Sequence, residues 1–184
     1  MPDCAASARI RSSDADSHSP KENAVSQPQS DAPLTSREFR DALGRFASGI
    51  TVVTTVIDGE THGMTANAFV SVSLEPPLVL VSVANKAHMH SYLQQSRRFG
   101  VSILTAAQEA YSQHFAGFGA PDFQPEFVEV DGLPLLAESL AHLIVTVTDA
   151  HVAGDHTLYI GQVEYVKWWD GQPLLYFQGR YERL

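Results

Sequence analysis

Ile50-Thr51-Val52-Val53-Thr54-Thr55-Val56-Ile57 is β-branched at every position and runs into Asp58-Gly59. Branching at Cβ disfavours helix and suits a pleated strand, and Asp-Gly after such a run is a strong short-range hairpin signal. The stretch therefore predicts a β-hairpin whose return strand runs from about His62 to Ser73. Glu75-Pro76-Pro77 breaks that strand, and Leu78 to Val83 reads as the next.

Working outward, His88–Arg98 reads as a short helix, 99–104 as a strand and 107–118 as a second helix. Pro121, Pro125 and Pro134 punctuate 119–136, which is expected to be loop. Three β segments follow at 141–153, 158–169 and 174–181, with Asp170-Gly171 turning between the last two. Towards the N-terminus, Thr35-Ser36-Arg37-Glu38 has capping-box spacing. Phe39, Ala42, Leu43 and Phe46 then form one apolar helical face, with the helix expected to stop near Ser48-Gly49. Roughly six hairpin-connected strands with short helices predict a mainly β protein, a closed antiparallel barrel with helical appendages.

Residues 1–34 carry Ser, Asp, Ala, Pro and Gln and no aromatic side chain. Such a segment cannot bury enough surface to offset its ordering entropy, so a disordered tail precedes a single domain at 35–184. The net charge of −9 argues against a nucleic-acid binder, which needs clustered Lys and Arg. The one cysteine, Cys4, permits no intrachain disulfide, which fits a reducing cytoplasm. No apolar run approaches the roughly 20 residues that span a bilayer, so no membrane role is expected.

The motifs of self-contained catalysis are missing. Gly117-Phe118-Gly119 lacks the third glycine and the strand–helix setting of a dinucleotide fingerprint. No P-loop and no G-x-S-x-G elbow occurs. His88-Met89-His90 falls at a helix start, where the two rings diverge, so no metal site is expected. Any redox chemistry then belongs to a bound cofactor.

Four segments, in this order, resemble the flavin reductase-like family, the small NAD(P)H:flavin oxidoreductases that act as reductase components of two-component flavin monooxygenases. They are Phe39–Thr54; Gly63-Met64-Thr65-Ala66-Asn67-Ala68 through Ser73 to Val79; Phe99-Gly100-Val101-Ser102-Ile103-Leu104; and Gly154-Asp155-His156 with Gly179-Arg180-Tyr181. The resemblance covers about Phe39 to Tyr181 and implies a split antiparallel β-barrel of Greek-key type. It further implies a homodimer with FMN, or alternatively FAD, near the subunit interface.

By the same resemblance, Thr54, Thr65, Ala66, Asn67, Ala68, Ser71, Val72 and Ser73 contact the flavin. In one unbroken strand Thr65, Asn67, Phe69, Ser71 and Ser73 would share a face and offer hydroxyl and amide hydrogen bonds. Ser82, Val83, Ala84 and Asn85 would border the flavin, and Ser91 would approach its phosphate, with Arg97 or Arg98 adding charge. Phe115 would line the pocket or, equally, fill the core. His156 would be the catalytic contact to the nicotinamide, its alternative being a hairpin-end histidine held by Asp155. Arg180 and Tyr181 would hold the dinucleotide or cover its ring.

Two positions depart from the family pattern: Ser102 replaces its usual Asn, and Ala68 replaces a common Ser. They leave the choice of flavin open. No cluster dedicated to a 2′-phosphate is visible, which favours NADH over NADPH. The implied activity is hydride transfer from the nicotinamide to the flavin, with reduced flavin passing to a separate monooxygenase. Two rival readings remain: a non-catalytic flavin- or haem-binding barrel, and an oxidase of the pyridoxamine-phosphate type. The second calls for an Arg and Lys cluster that the chain lacks.

Overall fold

The computed structural model describes residues 33–184, so the expectations for the tail and for Cys4 fall outside the described residues, Pro33 and Leu34 apart. The elements, in order, are α1 (Ser36–Leu43), β1 (Ser48–Gly49), β2 (Thr51–Ile57), β3 (Glu60–Ala66), β4 (Phe69–Leu74), β5 (Pro77–Ala84), α2 (His88–Ser96) and β6 (Arg98–Ile103). Then come α3 (Glu109–Phe115), β7 (Phe127–Val130), β8 (Leu133–Leu136), β9 (Ala141–Ala153), β10 (His156–Trp168), β11 (Leu175–Phe177) and β12 (Arg180–Glu182).

One seven-stranded antiparallel sheet has the order β3-β2-β6-β9-β10-β5-β4. Its two edge strands, β3 and β4, are consecutive in the chain and joined only by Asn67-Ala68. In a flat sheet they would lie about 29 Å apart, six strand spacings. Three peptide steps from Ala66 to Phe69 reach at most about 11 Å. The sheet must therefore curl until its edges meet at Asn67-Ala68, while β3 and β4 stay unpaired with each other along their length. The result is a split barrel, not the closed barrel that strand count alone suggested.

The β2 residues Thr51–Thr55 are all buried because both faces of the strand are covered. Val53 joins the barrel interior with Val81, Val83, Phe99, Val101 and Tyr159, while Val52 packs outward with Ile50, Leu104, Leu136 and Leu174. A strand buried on both sides reads as a continuous β-branched run without alternation. Burying hydroxyls costs free energy unless they are paired. Thr51, Thr54 and Thr55 each donate to a backbone carbonyl, those of Ala66, Pro134 and Arg98.

Several expected boundaries move. The Thr35–Glu38 capping box is present, but α1 ends at Leu43 rather than near Ser48-Gly49. Its apolar face is not packed: Phe39 is 53%, Leu43 54% and Phe46 79% exposed. The supposed single strand 62–73 breaks at Asn67-Ala68, because β3 pairs with β2 whereas β4 pairs with β5. The supposed loop 119–136 contains the β7–β8 hairpin, turned by Asp131-Gly132, both at positive φ. That is the same dipeptide signal as Asp58-Gly59, masked by neighbouring prolines. Segment 174–181 is likewise a hairpin, with Gln178 and Gly179 at positive φ between β11 and β12.

The β8 strand lies against β6 where Gly100 leaves room. A Cβ there would fall 2.6 Å from Leu135 and 2.8 Å from the Thr54 hydroxyl. Beside it, His142 is buried and donates from Nε2 to the Leu136 carbonyl at 2.7 Å, since a carbonyl oxygen can only accept. Burial, aided by the nearby Lys167 charge, holds the His142 imidazole below its ordinary pKa despite that hydrogen bond. The unfolded chain then takes up this proton more readily than the folded one, so stability is lost as pH falls below about 6.5. The melting temperature should drop over that window, and His142→Gln should flatten the pH profile there. An unchanged profile would contradict the neutral buried imidazole.

Candidate functional site

The link that joins the barrel edges also organises two concavities. One cavity of about 560 Å³ is lined by Ile50, Thr65, Asn67, Ser112, Gln113, Ala116, Phe118, Tyr176, Gly179 and Tyr181. A second, of about 970 Å³, is lined by Phe39–Asp41, Leu43–Phe46, Asn67, His156, Tyr176, Gln178 and Gly179. They meet at Asn67, Tyr176 and Gly179. Both volumes fall in the range of small-molecule sites, about 300–1,000 Å³.

The sheet register brings the remaining parts to this end of the barrel. The Ser82 N–H donates to the Ala68 carbonyl at 3.0 Å, which continues the β4–β5 ladder into the link. Ala84 lies opposite His156 across the β5–β10 ladder, and the Asn85 N–H donates to the Asp155 carbonyl at 2.9 Å. Asn85 Oδ1 accepts from the Thr157 hydroxyl at 2.7 Å. The His156 imidazole donates from Nδ1 to Asp155 at 2.8 Å. That bond fixes the ring and leaves Nε2 as its free nitrogen. The hydrogen bond and charge of His156 hold the Asp155 carboxyl below the usual carboxylate pKa.

The roof of the smaller cavity is α3. Ser112 is buried and ties three elements together: its carbonyl accepts from the Thr65 hydroxyl at 2.6 Å, and its hydroxyl lies 3.0 Å from that of Tyr181. Thr65, Asn67, Tyr181 and His156 thus line the cavities, Ser82 is bonded to Ala68 of the link, and Ala84 and Asn85 adjoin His156 and Asp155.

Other expected contacts lie elsewhere. Thr54 and Val83 are fully buried in the core, where the Thr54 hydroxyl bonds Pro134. Ala66 is buried, with its carbonyl accepting from Thr51. Ser71, Val72 and Ser73 lie on the edge strand β4 with a bulge between Ser71 and Ser73, so they do not share one face with Thr65 and Asn67. The Ser91 hydroxyl donates to the His88 carbonyl, within its own helix turn. Arg97 reaches the Val147 carbonyl, and Arg98 pairs with Glu164 at 3.0 Å. Phe115 packs in the core, so close to Gly63 that a Cβ there would overlap its ring at 2.5 Å. Arg180 is exposed and lines neither cavity. Ser102, at the family's Asn position, is buried and accepts from the Leu136 N–H at 2.9 Å.

Sequence reasoning missed the residues that tertiary contact alone brings in: Arg40, Arg45, Ser112, Gln113, Phe118, Tyr176 and Gln178. With its amide oxygen toward Arg45, Gln178 accepts from Nε at 3.2 Å and Nη1 at 2.8 Å. Its N–H donates to the Gly44 carbonyl at 2.8 Å. The glycine at 179 was the available signal, because it completes a turn inside an apparent strand. Arg40 and Arg45 give the larger cavity positive charge in a chain of net charge −9. Among the described residues, no cluster of three or more His, Cys, Asp or Glu could hold a metal ion. No helix among them is long and apolar enough to cross a membrane.

Known proteins share this architecture. An NADH-dependent flavin reductase of a Rhodococcus species is 47% identical over 157 residues, 84% of this chain and 89% of the relative. The reductase component of the Thermus thermophilus 4-hydroxyphenylacetate 3-monooxygenase is 43% identical over 79% of this chain and 95% of its own. The Streptomyces globisporus NADH:FAD oxidoreductase in complex with NAD and FAD fragments superimposes with a TM-score of 0.77 at 38% identity, covering 83% of this chain and 97% of that one. The flavin reductase like domain matches residues 43–184, every strand of the barrel included, and the chain belongs to that family.

Proposed function

We propose that this chain is an NADH-dependent flavin reductase that supplies reduced flavin to a separate monooxygenase. The observation that carries the reading is the meeting of two cavities at Asn67, with His156 in one and Tyr181 in the other. Two adjoining ligands need such a double site. The names of the relatives agree on NADH, and both FAD and FMN reductases occur among them.

The residues present fit a flavin. Asn67 is exposed at the seam and offers amide hydrogen bonds, and Gly179, at φ +78° with open space around it, lets a flat ring approach the backbone. Thr65, Asn67, Ala68 and Tyr181 would hold it, with Ser82, Ala84 and Asn85 bordering. Bound flavin would supply the two-electron acceptor that takes hydride from NADH. The protein's part is positioning, which can lower a barrier by roughly 7–11 kcal/mol. His156, fixed by Asp155, orients the nicotinamide, while Arg40 and Arg45 attract the dinucleotide's phosphates. Hydride transfer between two stacked rings needs no general base. A non-catalytic binder would have no use for the second cavity.

We also infer a homodimer. The edge strand β4 presents Val70 at 55%, Val72 at 47% and Leu74 at 87% exposure, an apolar edge that monomers seldom leave open.

Steady-state NADH oxidation with FMN or FAD tests the activity, and the His156→Ala variant tests the role of His156. The KM for NADH should rise about tenfold in the variant while flavin affinity holds. Equal losses in both would remove His156 from the nicotinamide, and absence of turnover in the parent would refute the reductase. For the dimer, Val72→Glu should convert it to monomer in analytical ultracentrifugation. A monomeric parent, or an unaffected dimer in the variant, would overturn the interface.

A further inference from the structure

A third concavity, of about 550 Å³, lies between the β7–β8 hairpin, the segment after it and the C-terminal half of β10. The β10 strand starts at His156, and its residues that line this concavity, Tyr165 and Lys167, lie about 30–36 Å along the strand from that proposed nicotinamide contact. None of its lining residues lines either cavity described above.

Its walls are aromatic and aliphatic: Trp169, Tyr165, Val128 and Val130. His142 is 3% exposed and its ring lines the concavity, 4.9 Å edge-to-face from Trp169. Nε2 carries the proton, because it donates to the Leu136 carbonyl. Nδ1 is then a bare acceptor, and it has no hydrogen-bond partner among the described residues. Nδ1 keeps contact with solvent and so stays open to a ligand's donor. Lys167 lies over the Trp169 ring at 5.1 Å, but Glu138 and Asp170 also line the rim, so the charge there does not favour an anion.

We propose that this concavity binds a small neutral aromatic molecule bearing one O–H or N–H donor, which donates to His142 Nδ1 and packs against Trp169 and Tyr165. The site is independent of the flavin cavities and makes no use of the reductase chemistry. Its occupant is defined by shape and by a single donor.

Trp168 and Trp169 are the only tryptophans of the chain, so indole emission reports this end of the molecule. The flavin-free full-length protein, titrated with phenol and separately with anisole, should show a saturable emission change. Phenol should bind about tenfold more tightly than its methyl ether, which keeps the ring and loses the donor. Val128→Phe, on a strand residue that is 41% exposed, should fill the concavity and abolish the change while circular dichroism stays that of the parent. His142→Phe should equalise phenol and anisole if it folds. A non-saturable response, equal affinities in the parent, or undiminished binding by Val128→Phe would each overturn the site.

Discussion

Two residues, Asn67 and Ala68, hold together the opposite edges of a seven-stranded sheet. A flat sheet cannot satisfy that connection, so curvature is imposed by chain length and not by side-chain packing alone. Where the edges meet, neither strand continues and backbone groups come to the surface. The proposed site is assembled around that seam. Asn67 lines both cavities, and the Ala68 carbonyl takes the Ser82 N–H that ties the link to β5.

The rest of the barrel makes this seam rigid. The β2 strand is clamped between two apolar clusters, and its buried threonines answer carbonyls of β3, β6 and β8. Ser112 fastens α3 to Thr65 and Tyr181, on strands that do not pair with one another. Asp155 fixes the His156 ring at the adjoining hairpin. Thr65, Tyr181, Gln178 and His156, which face the cavities, are therefore each held by a neighbour on another element or turn. Hydride transfer needs geometry more than acid–base help, and such a scaffold provides it.

Local signals read correctly where the chain itself sets the structure. The run 50–57 with Asp58-Gly59 and the Thr35–Glu38 capping box depend on nearest neighbours, and both were legible. Segment 62–73 was not, because its alternation continues through Asn67-Ala68 while the pairing partner changes from β2 to β5. Periodicity carries no information about which strand lies alongside. The same limit explains the site. Thr65, Asn67, Tyr181 and His156 came from the family resemblance, whereas Arg40, Arg45, Ser112 and Gln178 enter through folding contacts. A motif position says nothing of the face it occupies: the Thr54 hydroxyl answers Pro134 in the core, and of the two readings open for Phe115 the structure has the core one, its ring filling the space beside Gly63.

The central claim is that one short link both curls the sheet and shapes the ligand site. Inserting two glycines between Asn67 and Ala68 relaxes the link without removing any side chain. Flavin affinity, read from quenching of flavin fluorescence on binding, is the direct measurement. With circular dichroism confirming an intact β fold, the account predicts at least about tenfold weaker flavin binding, since a longer link no longer fixes the seam. Parent-like flavin affinity in the folded insertion variant would contradict it.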